Sequence, residues 1–273
     1  MPYVTAADGT EIYVKDWGSG RPVVLIHGWP LNADSWEHQA LALAEAGYRV
    51  VAYDRRGFGR SAQPFHGYDY DTLSDDLGKV MQALDLRDAA VAGFSMGGGE
   101  VARYMSRHGG DRVSQAMLIS SIAPFMKQTD DNPDGVPGDV FEEMKSGVRT
   151  DRQAFLEGFF NDFYGEGSEG GGVSDAVRHW TWSMAMMGSV KATLGCIDAF
   201  GQTDLRPDMA AFKVPTLVLH GTNDQIVPIA PSGRQAAKMI DGAELREIDG
   251  APHGMTATHA SRVTEAMLSF LKS

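Results

Sequence analysis

Six short runs of this chain read as strands, several of them apolar almost without interruption: residues 22–27, 48–53, 89–93, 113–119, 215–219 and 245–248. A strand with no polar face has to be covered on both sides, as in a parallel sheet flanked by helices. Helical patterns lie between the runs. Asp34 is placed to cap a helix over 35–46, with Glu37 reaching back, and Asp69 or Asp71 to cap one that runs through Leu84. Asp8-Gly9 separates two extended runs and reads as a hairpin turn. The alternation predicts an α/β chain built on a doubly wound, mostly parallel sheet of about eight strands. It breaks between residues 122 and 212, where helix-like pieces fall at 140–146, 151–163, 173–187 and 190–200. Thr150 with Gln153 makes a capping-box pattern for the second piece, and the Gly/Ser/Glu-rich stretch 166–172 reads as a mobile loop. The expected organisation is a core of 1–121 and 213–273 with a helical cap, 122–212, inserted over the carboxyl edge of the sheet.

One run ends in Gly93-Phe94-Ser95-Met96-Gly97 and leads into a helical pattern. Strand, sharp turn and helix form the setting in which G-x-S-x-G becomes a nucleophile elbow. Side chains two residues either side of the serine would crowd such a turn, and glycine relieves this. The following helix points its amino terminus, and its free N–H groups, at the serine oxygen. A serine needs a base, and the base needs an acid to orient it. Asp224 follows the run at 215–219, and His253 follows the run at 245–248. The chain order Ser95, Asp224, His253 at successive strand ends is that of an α/β-hydrolase triad. Asp204 and Asp208 read as surface charges, and Asp249 lies too close in sequence to His253 to be its acid. His27 and His220 end apolar runs and read as hydrogen-bonded structural histidines. The backbone N–H groups of Met96 and Trp29 are the expected oxyanion donors, because Pro30 has none. Pro30 also restricts Trp29 and so fixes where its carbonyl points, beside the acyl carbon, where it could accept a hydrogen bond from peroxide.

At this level of detail the chain resembles the bacterial arylesterases and cofactor-free haloperoxidases, or perhydrolases, of the α/β-hydrolase superfamily. The resemblance is carried by Lys15-Asp16-Trp17-Gly18, His27-Gly28-Trp29-Pro30-Leu31, Asp54-Arg55-Arg56-Gly57-Phe58-Gly59-Arg60-Ser61, Gly93-Phe94-Ser95-Met96-Gly97-Gly98-Gly99, Thr203-Asp204-Leu205-Arg206-Pro207-Asp208-Met209 and Ala251-Pro252-His253-Gly254, and so covers almost the whole chain. It implies acylation of Ser95 by a small ester. Water would then release a carboxylic acid, or hydrogen peroxide a peracid that oxidises halide, with no haem, metal or other cofactor. Perhydrolase-like members tend to carry proline at the position of Pro30. The resemblance further implies acyl-pocket walls at Met126, Met144, Phe159 and Phe163, with Ile226 and Val227 near the triad acid, joined by Pro30, Phe94 and Ile122. A homo-oligomer is also in keeping with it.

Other readings find less support. Gly97-Gly98-Gly99-Glu100-Val101-Ala102 matches a dinucleotide-binding pattern, but the next strand ends without the carboxylate that site needs. Serine at the elbow speaks against the aspartate chemistry of dehalogenases and epoxide hydrolases. Amide or lactam hydrolysis on the same triad, and a non-catalytic binding protein on the same fold, are the remaining alternatives. Arg55, Arg56 and Arg60 read as guanidiniums paired to acids around a tight loop. A net charge of −12 repels nucleic acid and anionic membranes, and no apolar stretch is long enough to span a bilayer. Residues 1–8 lack a leader pattern, and Cys196 is a single cysteine in a helix-like segment, so a cytoplasmic chain without disulfides is expected.

Overall fold

The computed structural model describes residues 2–272. Its sheet has eight strands: β1 (Tyr3–Thr5), β2 (Glu11–Trp17), β3 (Pro22–Ile26), β4 (Arg49–Tyr53), β5 (Ala89–Phe94), β6 (Val113–Ile119), β7 (Thr216–Gly221) and β8 (Glu244–Ile248). They are ordered β1-β2-β4-β3-β5-β6-β7-β8. β1, β2 and β4 pair antiparallel, and every other neighbouring pair is parallel. β5 and β7 are buried at every residue, which explains their unbroken apolar sequence. The edge strand β8 buries only Ile248 fully.

The helices are α1 (Glu37–Glu45), α2 (Tyr70–Ala83), α3 (Met96–Arg107), α4 (Gly138–Phe163), α5 (Asp175–Met186), α6 (Val190–Gln202), α7 (Gly233–Met239), α8 (Met255–Thr258) and α9 (Ala260–Leu271). α1 packs on α9 and α2 on α3, with the strands between them. α4, α5 and α6 all fall between β6 and β7, in the stretch where the alternation stops. The segment 164–172 coils in turns, with Ser168 N donating to Gly165 O and Gly172 N to Tyr164 O.

Three local expectations need correction. Asp34 does not cap the first helix: a 3-10 turn, Ala33–Trp36, precedes α1 and is capped by Asn32, whose side chain accepts from Asp34 N, and α1 itself has no side-chain cap. The Asp34 carboxylate is taken instead by Lys15 and Arg60. The pieces at 140–146 and 151–163 are one continuous segment, α4, with a kink where Asp151 adopts φ −155° and ψ 87°. Having stepped out of helical geometry, Asp151 caps the second half itself, its carboxylate accepting from Ala154 N at 3.0 Å, so the Thr150–Gln153 box does not form. Asp208 is not a surface charge. Its side chain is 7% exposed and meets Arg103 and the Ser106 hydroxyl of α3. Asp69 caps α2 through Thr72 N as expected, and Ser174 and Ser189 cap α5 and α6.

Candidate active site

Loops at the carboxyl ends of β3, β5, β7 and β8 converge on Ser95. Because these strands run parallel, their ends share one edge of the sheet, where open α/β sheets place their sites. Ser95 lies in the turn between β5 and α3 with φ 53° and ψ −119°, a conformation an L-residue adopts only under constraint. The glycines around it leave no choice. A Cβ on Gly93 would lie 2.3 Å from Gly97 O, and one on Gly97 would lie 2.5 Å from Ile26 O. The elbow is thus pressed between its own helix and β3.

His253 Nε2 lies 2.9 Å from Ser95 Oγ, and His253 Nδ1 lies 2.7 Å from Asp224 Oδ2. The other carboxylate oxygen of Asp224 accepts from Val227 N at 2.7 Å and Ile226 N at 3.1 Å. Burial alone would push the Asp224 pKa up, but His253 and His220 beside it hold it well below the usual carboxylate range. All three side chains are buried, and Phe94 and Phe163 pack on the His253 ring with centroids 5.1 Å away. The sequence singled out these three residues, and the fold joins them in one hydrogen-bonded chain.

Neither Met96 N nor Trp29 N donates to a protein group among the described residues, and the Trp29 carbonyl accepts from none. The Gly28–Leu31 turn, with a cis Trp29–Pro30 bond, is closed by Leu31 N donating to Gly28 O. Gly28 has no room for a side chain, since a Cβ there would lie 2.8 Å from the Phe94 ring. His27 sits behind this loop. Its Nε2 accepts from Arg55 N at 2.9 Å, so Nδ1 carries the proton and donates to Gly28 O at 2.8 Å. The Gly28 carbonyl and the Trp29 N–H belong to one planar peptide, so this bond also sets the direction of that N–H. Arg55 donates to His27 O at 2.6 Å and pairs with Glu100 of α3, which ties the loop to the elbow helix. Burial works against the Arg55 charge, and Glu100 more than offsets it. His27 is therefore structural, as its strand-end position suggested, but its hydrogen bond reaches the loop beside Ser95. Sequence gave no sign of this second connection.

His27 carries a pH prediction. Burial, and then the positive Arg55, lower its pKa well below the ordinary value. The unfolded chain protonates this ring near about pH 6.5 and the folded protein does not. The unfolded state then binds more protons, so stability falls as pH drops below about 6.5, by about 1.4 kcal/mol per pH unit for this group. Unfolding free energies from denaturant titrations between about pH 7 and pH 5 should fall less steeply, by up to that amount per pH unit, in His27→Gln than in the unaltered chain. Equal slopes would show that His27 is protonated in the folded protein.

His220 Nε2 donates to Val227 O at 2.9 Å and lies 3.3 Å from Asp224 Oδ2, so this strand-end histidine also supports the site. Arg56 pairs with Asp76 and Asp8, and Arg60 with Asp54 and Asp34, so these guanidiniums are structural. Cys196 is buried on α6, and burial pushes its thiol up to about 12, which removes it as a nucleophile.

A cavity of about 50 Å³ opens against Ser95 and His253. Of the expected walls, Ile122, Met126, Met144, Phe159, Ile226 and Val227 line it, together with Trp29. Pro30, Phe94 and Phe163 do not. Pro30 stays in its turn, while Phe94 and Phe163 lie behind the His253 ring. Val136, Val140, Phe141 and Phe200 complete the walls and were missed in the sequence: the last three lie in helical stretches whose apolar spacing reads as core, and Val136 lies in the segment before α4, bridged to Lys127. A larger cleft of about 690 Å³ shares Val136, Val140, Met144, Phe159 and Ile226 with the cavity.

The family described as alpha/beta hydrolase fold matches residues 21–260. The chain belongs to this family. It is 46% identical over 273 residues to a non-heme chloroperoxidase of Kitasatospora aureofaciens, with 99% of each chain covered. It is 41% identical to a bifunctional esterase/perhydrolase of Acinetobacter calcoaceticus, each covered in full. The crystal structure of a bromoperoxidase from Bacillus anthracis superposes on it with a TM-score of 0.95 at 45% identity, covering 99% of this chain and 100% of that one. No helix among the described residues is long and apolar enough to cross a membrane.

Proposed function

We propose that this α/β-hydrolase is a serine esterase that also makes peracids. The observation that carries the reading is the unbroken chain Ser95–His253–Asp224, with Ser95 and His253 lining a small apolar cavity. Ser95 Oγ attacks the acyl carbon of an ester as His253 Nε2 takes its proton, and Asp224 holds the ring in the accepting tautomer. The Met96 and Trp29 amides hold the oxyanion. His253 then returns the proton to the departing alcohol. Water or hydrogen peroxide, deprotonated by His253, attacks the acyl-enzyme and releases acid or peracid. A cavity of about 50 Å³ has room for only a few water molecules and so suits a short acyl group. The adjoining cleft suits a larger apolar alcohol, such as an aryl group. In this reading residues 122–212 form a cap whose α4 and α6 supply cavity walls. The unpaired Trp29 carbonyl, on the loop held by His27, is the acceptor for peroxide. The names of the relatives, non-heme chloroperoxidase and esterase/perhydrolase, support the same pair of reactions. A cytoplasmic location fits the unpaired thiol of Cys196.

The test is the fate of the acyl group. A short aryl acetate is supplied with rising hydrogen peroxide, and peracetic acid is measured against acetate. The expected result is a peracid share that climbs with peroxide while the aryl alcohol is still released. Acetate alone at every peroxide level would reduce the reading to an esterase.

A further inference from the structure

Two walls of the cavity are thioethers. Met126, in the segment after β6, is 3% exposed, and Met144, on α4, is half-buried; both line the space that holds Ser95 and His253. The remaining walls are aliphatic and aromatic apart from those two catalytic candidates. A thioether is soft and polarizable, and a peroxo oxygen converts it to the sulfoxide. In a space of about 50 Å³ a peracid formed at Ser95 is released directly against these walls. By contrast, Met187 and Met239 are among the exposed side chains, outside the cavity, and meet oxidant only from solution.

We propose that Met126 and Met144 are modification sites of this protein, oxidised by the peracid made at Ser95 before it escapes. The proposal rests on the perhydrolase reading above. A sulfur lone pair attacks the terminal peroxo oxygen. The S–O bond forms as the O–O bond breaks, and the peracid proton passes to the departing carboxylate oxygen. The sulfur is oxidised by two electrons, the peroxo group is reduced by two, and the products are methionine sulfoxide and the carboxylic acid. A sulfoxide is larger and polar, and it has no hydrogen-bond donor among the apolar walls. It fills the space the acyl group needs. Ester turnover therefore declines with the amount of peracid made, and not simply with exposure to peroxide.

The experiment gives the full chain an aryl acetate and hydrogen peroxide in the presence of excess soluble thioether, which scavenges escaped peracid and reports how much forms. Sulfoxide is then quantified by peptide mass spectrometry at Met126, Met144, Met187 and Met239. Peroxide alone, Ser95→Ala with both reagents, and peracetic acid added from outside serve as parallel arms. The expected result is sulfoxide at Met126 and Met144 several-fold above Met187 and Met239, in the complete reaction only, with esterase activity falling in step. Peracid production with both cavity methionines intact overturns the proposal, and so does oxidation no faster than at the exposed pair or equal in peroxide alone. If no peracid forms, the scavenger shows that the perhydrolase reading has itself failed, and the proposal falls with it. A double variant, Met126→Leu with Met144→Leu, nearly conserves volume. Relative to its own starting rate it should complete several-fold more turnovers before losing half its activity. An unchanged number would mean that the sulfoxides are bystanders and would overturn the inactivation.

Discussion

Replacing Ser95 with alanine is expected to lower kcat for ester hydrolysis by about a million-fold, and to remove peracid formation with it. The substitution takes away one oxygen and little else. Alanine meets the same backbone demand at φ 53° that serine meets, and the glycines that permit the turn are untouched. The fold should therefore persist, with a melting temperature close to that of the unaltered chain. His253 Nε2 loses its partner at 2.9 Å and is left as a base with nothing to activate but solvent. Both products are lost together because both arise from one acyl-enzyme. Peracid formation that survived in Ser95→Ala would mean that peroxide attacks the ester without that intermediate.

Asp224→Asn should cost about ten-thousand-fold in kcat, through a proton on the wrong nitrogen. Asp224 Oδ1 accepts two backbone N–H bonds, from Ile226 and Val227. In the variant the amide oxygen has to take that position, because an amide NH2 there would face two donors. The NH2 group is then turned towards His253 Nδ1, which has to give up its proton to accept. His253 now carries its proton on Nε2, pointed at Ser95, and cannot remove the serine proton. Rates for water and peroxide should fall by the same factor, since one base serves both. A loss below about tenfold would show that another group orients His253. His220, 3.3 Å from the same carboxylate oxygen, would be the one to examine.

The triad was legible because each member sits just past a run that reads as a strand, and a parallel sheet brings such ends to one edge. What sequence could not show is which of two adjacent candidates a distant partner would claim. Asn32 and Asp34 are both good caps. Lys15 and Arg60, from elsewhere in the chain, occupy Asp34, which lies inside the 3-10 turn that Asn32 caps ahead of α1. Asp208 is pulled inside by Arg103 and Ser106 of α3 in the same way. The cavity walls were read partly right because an apolar helix residue can face either core or cavity with the same spacing. Phe159 of α4 lines the cavity, whereas Phe163, one turn further on, lies against the back of His253. Phe200 and Phe141, in contact with each other across α6 and α4, both reach the cavity from helices that lie far apart in sequence and pack on one another.

The central claim is a covalent acyl group on Ser95, and mass spectrometry of the protein quenched in acid during turnover of an aryl acetate tests it most directly. The account predicts acetyl on the peptide that contains Ser95, formed in the unaltered chain, absent from Ser95→Ala and depleted when hydrogen peroxide is added. Turnover with no acetyl on that peptide, or acetyl on another residue, would contradict it.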